Sequence, residues 1–433
     1  MPMNRNPFTF GNPIQDPAYF CGRKAEMRKI VNRLVSSAHE STSIVGERRI
    51  GKTSLLYHLS NPLVATSLGM AQGEYCMVYI DFQGLTDITP HRFWQRVLQK
   101  MERVVCDESL APEINALRKR QDFDLFDLED LFASTNASGR TVVLFMDEFE
   151  YVTQNPRFGS DFFGGLRALA IHQDLALIPA TRRELVDLCH SDEIKGSPFF
   201  NIFANVVLPP LTDTEVPELL DRYLAESEYE FSQEQKALAF QLGGGYPLFL
   251  QMAGYYLVDA GSQGLEGDAL QAQVISNFDA EAASHYEYFW SHCSESEKIT
   301  LLAVLALNQT DSGEAIRPSI ENLAKLHSEA PVDLSSLLRR GLIHECDGEY
   351  RLLSLSLGRW IAREISARPQ DEESPDSVEQ WLRAGGRESL EPVKGLLPRF
   401  KKQYWPIVGD ILREMSFELA GAAAFEILVR ALI

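Results

Sequence analysis

The sequence predicts an α/β fold. A parallel five-stranded sheet with covering helices fills the first half of the 433 residues, followed by an all-α segment, three helices with a β-hairpin, and a C-terminal helical extension. Three observations carry this prediction. Between Thr42 and Pro210, five short apolar runs alternate with helical patterns, the rhythm of successive βαβ units. One of those runs, Thr141 to Met146, is apolar without a break, as a strand covered on both faces must be. From Leu211 the composition turns helical, and strand-like runs stop until a single hairpin pattern near residue 345.

Residues Met1 to Tyr19 are rich in Asn, Pro and Phe, follow no clear period, and read as an arm or loop. Behind Phe20-Cys21-Gly22-Arg23-Lys24-Ala25-Glu26, the apolar residues Met27, Ile30, Val31 and Leu34 recur at helical spacing. The first strand, Thr42 to Val45, then runs into Gly46-Glu47-Arg48-Arg49-Ile50-Gly51-Lys52-Thr53-Ser54. This segment fits G-x-x-x-x-G-K-[ST], with a helix behind it to about Leu59, which is the context a phosphate-binding P-loop needs. The glycines let backbone N–H groups face a triphosphate, and the helix N-terminus favours its charge. Lys52 is expected to reach the β/γ-phosphates and Thr53 to hold Mg²⁺.

The second strand, Cys76 to Phe82, carries Asp81 near its C-terminal end, where open α/β sheets keep their ligands; a turn cap is the other reading. Residues 91–105 form an amphipathic helix. Another spans 122–132, with Phe123, Phe126, Leu128, Leu131 and Phe132 among carboxylates that read as a solvated face. The strand from Thr141 ends abruptly in Asp147-Glu148-Phe149-Glu150, the form of a Walker B motif. Asp147 is placed to reach Mg²⁺, directly or through water, beside Thr53, and Glu148 to polarise an attacking water as general base. The bland alternative is a strand that ends in surface acids. Charge balance favours the first reading: Mg-ATP brings negative charge that one lysine cannot balance, so a metal and its carboxylate are expected.

A fourth strand, Leu175 to Ala180, ends in Thr181-Arg182-Arg183. These residues either sense a γ-phosphate or cap a strand end at the surface. A fifth, Asn205 to Leu208, closes the set. Then Thr212-Asp213-Thr214-Glu215 opens a helix in capping fashion, with Val216, Leu219, Leu220 and Tyr223 on one face. Gly243-Gly244-Gly245-Tyr246-Pro247 bends the chain between helices at 233–242 and 248–257. Three helices, at 294–307, 318–326 and 332–340, precede a hairpin around Cys346-Asp347-Gly348, and a helix from about 357 to 366 follows, the make-up of a winged helix. Such domains often bind DNA, but the third helix has two basic residues only, Arg339 and Arg340 at its end, so packing or protein interaction is the better reading.

An acidic, Pro-containing linker spans 367–377. Beyond it, residues 415–433 are apolar almost all round, with Glu418, Glu426 and Arg430 on one line, so that helix needs a covering surface. Arg399, Lys401 and Lys402 beside Tyr404 and Trp405 make a small basic-aromatic patch.

Composition limits the partners. With a formal net charge of −20 and a pI near 4.9, long-range electrostatics oppose a dedicated nucleic-acid binder. Six scattered cysteines (Cys21, Cys76, Cys106, Cys189, Cys293, Cys346) show neither C-x-x-C nor zinc spacing and read as free thiols. No secretory leader and no apolar run of transmembrane length is evident, which points to the cytoplasm.

The ordered set Gly22-Arg23, the 46–56 loop, Phe145-Met146-Asp147-Glu148-Phe149, Thr181-Arg182-Arg183 and Gly245-Tyr246-Pro247 resembles the bacterial AAA-like ATPases of the STAND class, relatives of archaeal and origin-recognition AAA+ ATPases. The resemblance spans roughly residues 20–366. It implies that Gly22-Arg23 lies over the adenine, that Thr181-Arg182 is the sensor 1 pair, and that Pro247 packs on the base from a helical lid. One departure stands out. Many members carry a His just after the wing that holds ADP, whereas this chain reads Leu352-Leu353-Ser354-Leu355-Ser356-Leu357.

The expected division is an arm (1–20), a P-loop NTPase core (21–210), a helical lid (211–283), a winged helix (284–368), and a linker with a helical interaction segment (369–433). The expected activity is slow, Mg²⁺-dependent ATP hydrolysis that drives a conformational or assembly switch in bacterial signalling or defence. ATP/ADP and Mg²⁺ are the cofactors, and a second copy or an effector meets the C-terminal helix. Two alternatives stay open: a DNA-associated ATPase acting through the winged helix, and a scaffold for a separate effector. Arg48 and Arg49 either brace the loop against acidic neighbours or reach a second subunit.

Overall fold

The computed structural model describes residues 5–105, 110–191, 195–196, 198–308 and 317–366. The described residues divide into two compact units: Phe10–Glu226, and residues 5–9 together with those from Ser227 to Ser366.

In the first unit, α1 (Lys24–Leu34) leads to β1 (Thr42–Val45), the loop, α2 (Lys52–Ser60), α3 (Pro62–Ser67), β2 (Tyr75–Asp81), α4 (Pro90–Val104), α5 (Leu110–Lys119), α6 (Leu125–Ala137) and β3 (Thr141–Asp147). Then follow α7 (Glu150–Thr153), α8 (Ser160–His172), β4 (Ala176–Thr181), β5 (Ala204–Val207) and α9 (Glu215–Leu224). The five strands form one parallel sheet in the order β2-β3-β4-β1-β5. The five expected strands are all present. Burial differs across the sheet: inner strand β3 is buried from Val142 to Asp147 and reads as an apolar run up to Met146, whereas the burial of edge strand β2 alternates. Stacked Phe82 and Phe93, with ring centroids 5.3 Å apart, stand in a core with Phe149, Phe158 and Phe163. Each such buried ring is worth about 1.5–3 kcal/mol.

Local chemistry sets the helix ends. α6 begins at Leu125, three residues later than the sequence pattern suggests, because Asp124 caps it reciprocally with Asp127. The short α3 follows from Asn61, whose Oδ1 accepts from Leu63 N at 3.0 Å, and from Pro62 at the first helical position. The capping at Thr212 is reciprocal with Glu215: Thr212 N donates to Glu215 Oε2 (3.0 Å), and Glu215 N donates to Thr212 Oγ1 (3.3 Å).

The second unit holds α10 (Gln233–Gly243), α11 (Pro247–Ser262), α12 (Gly267–Ser291), α13 (Glu295–Asn308), α14 (Ile320–Leu326), α15 (Ala330–Arg340), the antiparallel hairpin β6 (Ile343–Cys346) and β7 (Glu349–Leu352), and α16 (Leu355–Ser366). The three helices and hairpin occur where the pattern places them, and Asp347 and Gly348, both at positive φ, supply the turn. The 25-residue α12 is the longest helix among the described residues, and no sequence signal announced it. Its buried positions Leu270, Val274, Phe278, Ala282, Tyr286 and Trp290 recur every four residues, a stripe that winds slowly round the helix.

The glycine bend is a close-packed joint. A Cβ on Gly244 (φ +55°) would lie 1.8 Å from the carbonyl oxygen of Leu353, and buried Tyr246 donates its hydroxyl to Arg340 O at 2.5 Å. The arm also contributes here: Phe8 is fully buried, its ring stacked on Phe231 at 5.6 Å and lying where a side chain on Gly254 would otherwise stand.

The acidic linker, the 415–433 helix, the basic-aromatic patch at 399–405 and Cys106 lie outside the described residues. Among the described residues no helix is long and apolar enough to cross a membrane.

Candidate active site

The sheet order brings the two informative strand ends to the same edge. β4 lies between β1 and β3, so the loop after Val45 and the acids after Met146 flank the Thr181-Arg182 end of β4.

The loop takes the shape that its glycines permit. Gly51 sits at φ +103° as the residue before α2, and a Cβ on Gly46 would lie 2.8 Å from Ile50 Cγ2. Gly46 N donates to Thr181 O at 3.1 Å, which joins the loop to β4. Lys52 is buried and folds back over the loop, donating from Nζ to the carbonyls of Gly46 (2.8 Å) and Glu47 (3.3 Å). Glu47 accepts the N–H of Arg48 on Oε1 (2.9 Å), and Ser54 Oγ accepts Ile14 N (3.0 Å), which fastens the arm to α2. Arg48 and Arg49 are exposed; Arg49, at φ +70°, reaches Gly11 O at 3.5 Å and feels the charge of Glu148.

Asp147 is 2 % exposed. Its Oδ2 accepts the Tyr79 hydroxyl at 3.0 Å, and its Oδ1 accepts Glu148 N at 3.1 Å. Burial pushes its carboxyl above the usual aspartate range, against the opposing pull of hydrogen bonds from Thr53 and Tyr79 and the charge of Lys52. Thr53, Lys52 and Asp147 therefore share one pocket of charge.

Glu148 adopts φ +51°, a left-handed conformation that costs a non-glycine residue about 1–2 kcal/mol and tends to persist at functional positions. Burial first, then the charge of Glu150, raises its carboxyl to about 7, while Lys52 and Arg182 oppose the rise. A carboxylate with that pKa is matched to proton transfer near neutrality.

Other expected residues take different partners. Arg182 Nε donates to buried Glu150 Oε1 at 2.8 Å, and the Thr181 hydroxyl donates to Arg183 O at 2.6 Å. Asp81, opposite Asp147 in the β2–β3 register, caps a turn by accepting Gln83 N at 2.8 Å. Gly22 (φ +70°) and Arg23 (φ +63°) form a sharp turn against α9. Arg23 is 4 % exposed; it donates to Ile50 O (3.0 Å) and Pro209 O, while its backbone N–H donates to Glu215 Oε1 (2.8 Å). Its guanidinium thus supports the loop from beneath. Pro247 belongs to the second unit, where it opens α11 behind Tyr246.

Sequence reasoning missed Glu150 and Tyr79. Both carried a weak signal: Glu150 lies two residues beyond Glu148, and Tyr79 lies two residues before Asp81 on the neighbouring strand.

A P-loop Mg²⁺ takes one or two protein oxygens and completes its shell with water and phosphate oxygens. The hydroxyl of Thr53 and the buried carboxylate of Asp147 are such a hard-oxygen pair. Among the described residues no group of three or more His, Cys, Asp or Glu side chains is able to hold a metal by itself.

Comparisons with known proteins bear on the fold and the family. Structural similarity to the Walker-type ATPase PABY2304 of Pyrococcus abyssi covers 81% of this chain and 99% of that one, with a TM-score of 0.52 at 16% identity. The ORC2 protein of Aeropyrum pernix, in its ADPNP–ADP complexes, is similar over 84% of this chain and 99% of its own, with a TM-score of 0.51 at 15% identity. These likenesses establish a common fold. No curated protein matches the sequence significantly. The family model of the novel STAND NTPase 2 proteins matches residues 26–310, and with more than half of its length so matched, this chain belongs to that family of P-loop NTPases.

Proposed function

We propose that the protein is an ATP-binding, Mg²⁺-dependent ATPase of low turnover that works as a nucleotide-controlled conformational or assembly switch in the bacterial cytoplasm, in signalling or defence. The observation that carries this reading is the convergence of Lys52, Thr53, Asp147 and Glu148 at one edge of the sheet. In this reading the loop amides and Lys52 bind the phosphates, while Thr53 and Asp147 hold Mg²⁺, which supplies charge neutralisation for the β- and γ-phosphates. Glu148 accepts a proton from the attacking water. Arg182 leaves Glu150 to meet the γ-phosphate, so the ion pair keeps turnover low until it opens. Thr181 holds the loop through its carbonyl, Gly22 lies by the nucleotide, and Arg23 acts on it through the loop.

The three helices with a hairpin support a winged-helix reading of residues 284–368, and a second copy or an effector engages the C-terminal segment. The DNA-loader alternative through that winged helix gains little from its third helix: Arg340 of α15 points inward to Glu297 (3.1 Å) and the carbonyls of His292 and Phe289. The test is light scattering of the purified protein with ADP and with a non-hydrolysable ATP analogue, alongside ATP retention by Glu148→Gln. A nucleotide-dependent change in mass, together with trapped ATP, is expected. Absence of nucleotide binding by the wild type would sink the proposal.

A further inference from the structure

Helix α4 has two chemically opposite faces. Phe93, Trp94, Val97, Leu98 and Met101 are buried where it packs on β2 and α5. On the other side Arg92, Arg96, Lys100 and Arg103 follow one another at helical spacing. At 100° and 1.5 Å per residue they fall within an arc of about 80° and along about 16 Å of the helix axis. Arg92 and Arg103 are exposed, Arg96 and Lys100 half-buried, with Gln95 and Gln99 alongside them.

Among the described residues, no carboxylate neutralises any of the four cations. The acid of the helix, Glu102, turns toward α5, where it pairs with Arg118 at 3.0 Å and accepts from Asn115. No described carboxylate pairs with Arg92, Arg96, Lys100 or Arg103, and Arg96 Nε is buried without a hydrogen-bond partner. Lys100 has its pKa depressed, by burial first and then by the charges of Arg96 and Arg103. In a chain with 61 acidic against 41 basic residues, a row of mutually repelling, unpaired cations is a local exception that asks for an anionic partner.

We propose that the outward face of α4 docks the phosphate backbone of a nucleic acid, independently of base sequence. A protein partner would call for aromatic or aliphatic anchors at the centre of the patch. Here the residues beside the cations are glutamines, and the large apolar side chain near the row, Val104, is at its C-terminal end. Arg, Lys and Gln are the side chains that meet phosphate oxygens, arginine bidentately. At about 3.4 Å per phosphate along one strand, 16 Å of axis spans about five phosphates. The overall charge of −20 repels nucleic acid at long range, but screening over about 8 Å at physiological salt leaves contact to the local row. Affinity in the micromolar range follows.

The test is fluorescence anisotropy of a labelled 30-base-pair duplex of mixed sequence with the full chain, across a salt series. Four contacts give a slope of log K against log salt of about −3 to −4, a loss of about 10²-fold between 50 and 200 mM. Arg92→Gln/Arg103→Gln removes two exposed charges, so folding and ATP affinity stay as in the wild type while duplex binding weakens at least tenfold and the slope shrinks by about 2. Absence of salt-dependent binding by the wild type, duplex binding unchanged in the double variant, or tighter binding of a polyglutamate peptide than of duplex each overturns the proposal. Because ATP affinity is read separately, failure here is distinguishable from failure of the ATPase reading.

Discussion

Arg23 offers the sharpest test of how the loop is held. The resemblance to AAA-like ATPases places it over the adenine, whereas its guanidinium donates to the carbonyls of Ile50 and Pro209 beneath the loop. Arg23→Met leaves both carbonyls without that donor while the backbone bond from residue 23 to Glu215 survives. A buried acceptor deprived of its partner costs about 1–3 kcal/mol, so the pair is worth about 2–5 kcal/mol. At 1.4 kcal/mol per factor of ten, local opening of the loop becomes roughly 30- to 4,000-fold more frequent. Hydrogen exchange measured by mass spectrometry on peptides covering residues 42–60 reads that change directly, and calorimetric titration gives ATP affinity. Faster exchange in nucleotide-free protein, with ATP binding weakened about tenfold and partly restored by Arg23→Lys, is expected. If ATP affinity collapses while exchange in the free protein is unchanged, Arg23 touches nucleotide and the strut argument is refuted.

Three further outcomes follow from the site and the bend. Glu148→Gln should abolish turnover while ATP stays bound; with the native carboxyl raised to about 7 from an ordinary 4.5, its contribution to stability is complete below about pH 4.5 and lost as pH rises through 7. The unfolding free energy of nucleotide-free Glu148→Gln, from urea titration, should therefore gain on that of the wild type between pH 5 and 8, by about 1 kcal/mol after discounting for exposure. Tyr79→Phe removes the hydroxyl from Asp147, so ATP affinity in Mg²⁺ should fall several-fold while affinity in EDTA holds; equal losses in both would point to a packing defect. Gly244→Ala should cost at least 2 kcal/mol, roughly, in urea unfolding, because φ is +55° and the Cβ would strike Leu353 O, whereas Gly261→Ala, in a helix with open space around it, should be neutral or gain about 0.5–1 kcal/mol.

Much of the fold was legible because it is encoded locally. A parallel strand covered on both faces is apolar along most of its length, and β3 announced itself that way, while the short apolar runs at β1, β2, β4 and β5 were bounded by turns. The hairpin was readable from two residues, Asp347-Gly348, that tolerate positive φ. The helices that escaped notice had weaker marks: the buried positions of α12 recur every four residues and so wind round the helix, which has no side-chain cap at its start, and α3 is six residues long. Within the candidate site, Lys52, Thr53, Asp147 and Glu148 were named from motif and strand end alone. The partners of Arg23 and Arg182 were not, since Pro209 and Glu150 lie far from them in sequence and no spacing rule connects them.

The sequence by itself determined which residues stand at the strand tips and that the loop after β1 could cradle phosphates, because backbone freedom and hydrophobic period are properties of neighbouring residues. Only the tertiary structure decided that β4 comes between β1 and β3, that burial and Glu150 together raise Glu148 toward neutrality, and that Arg23 braces the loop from below. It also decided that the cations of α4 lie on its outward face without a carboxylate partner among the described residues, while the acid of that helix is held by α5. Those outcomes depend on desolvation and on charges brought together from distant segments, and neither exists until the chain has folded.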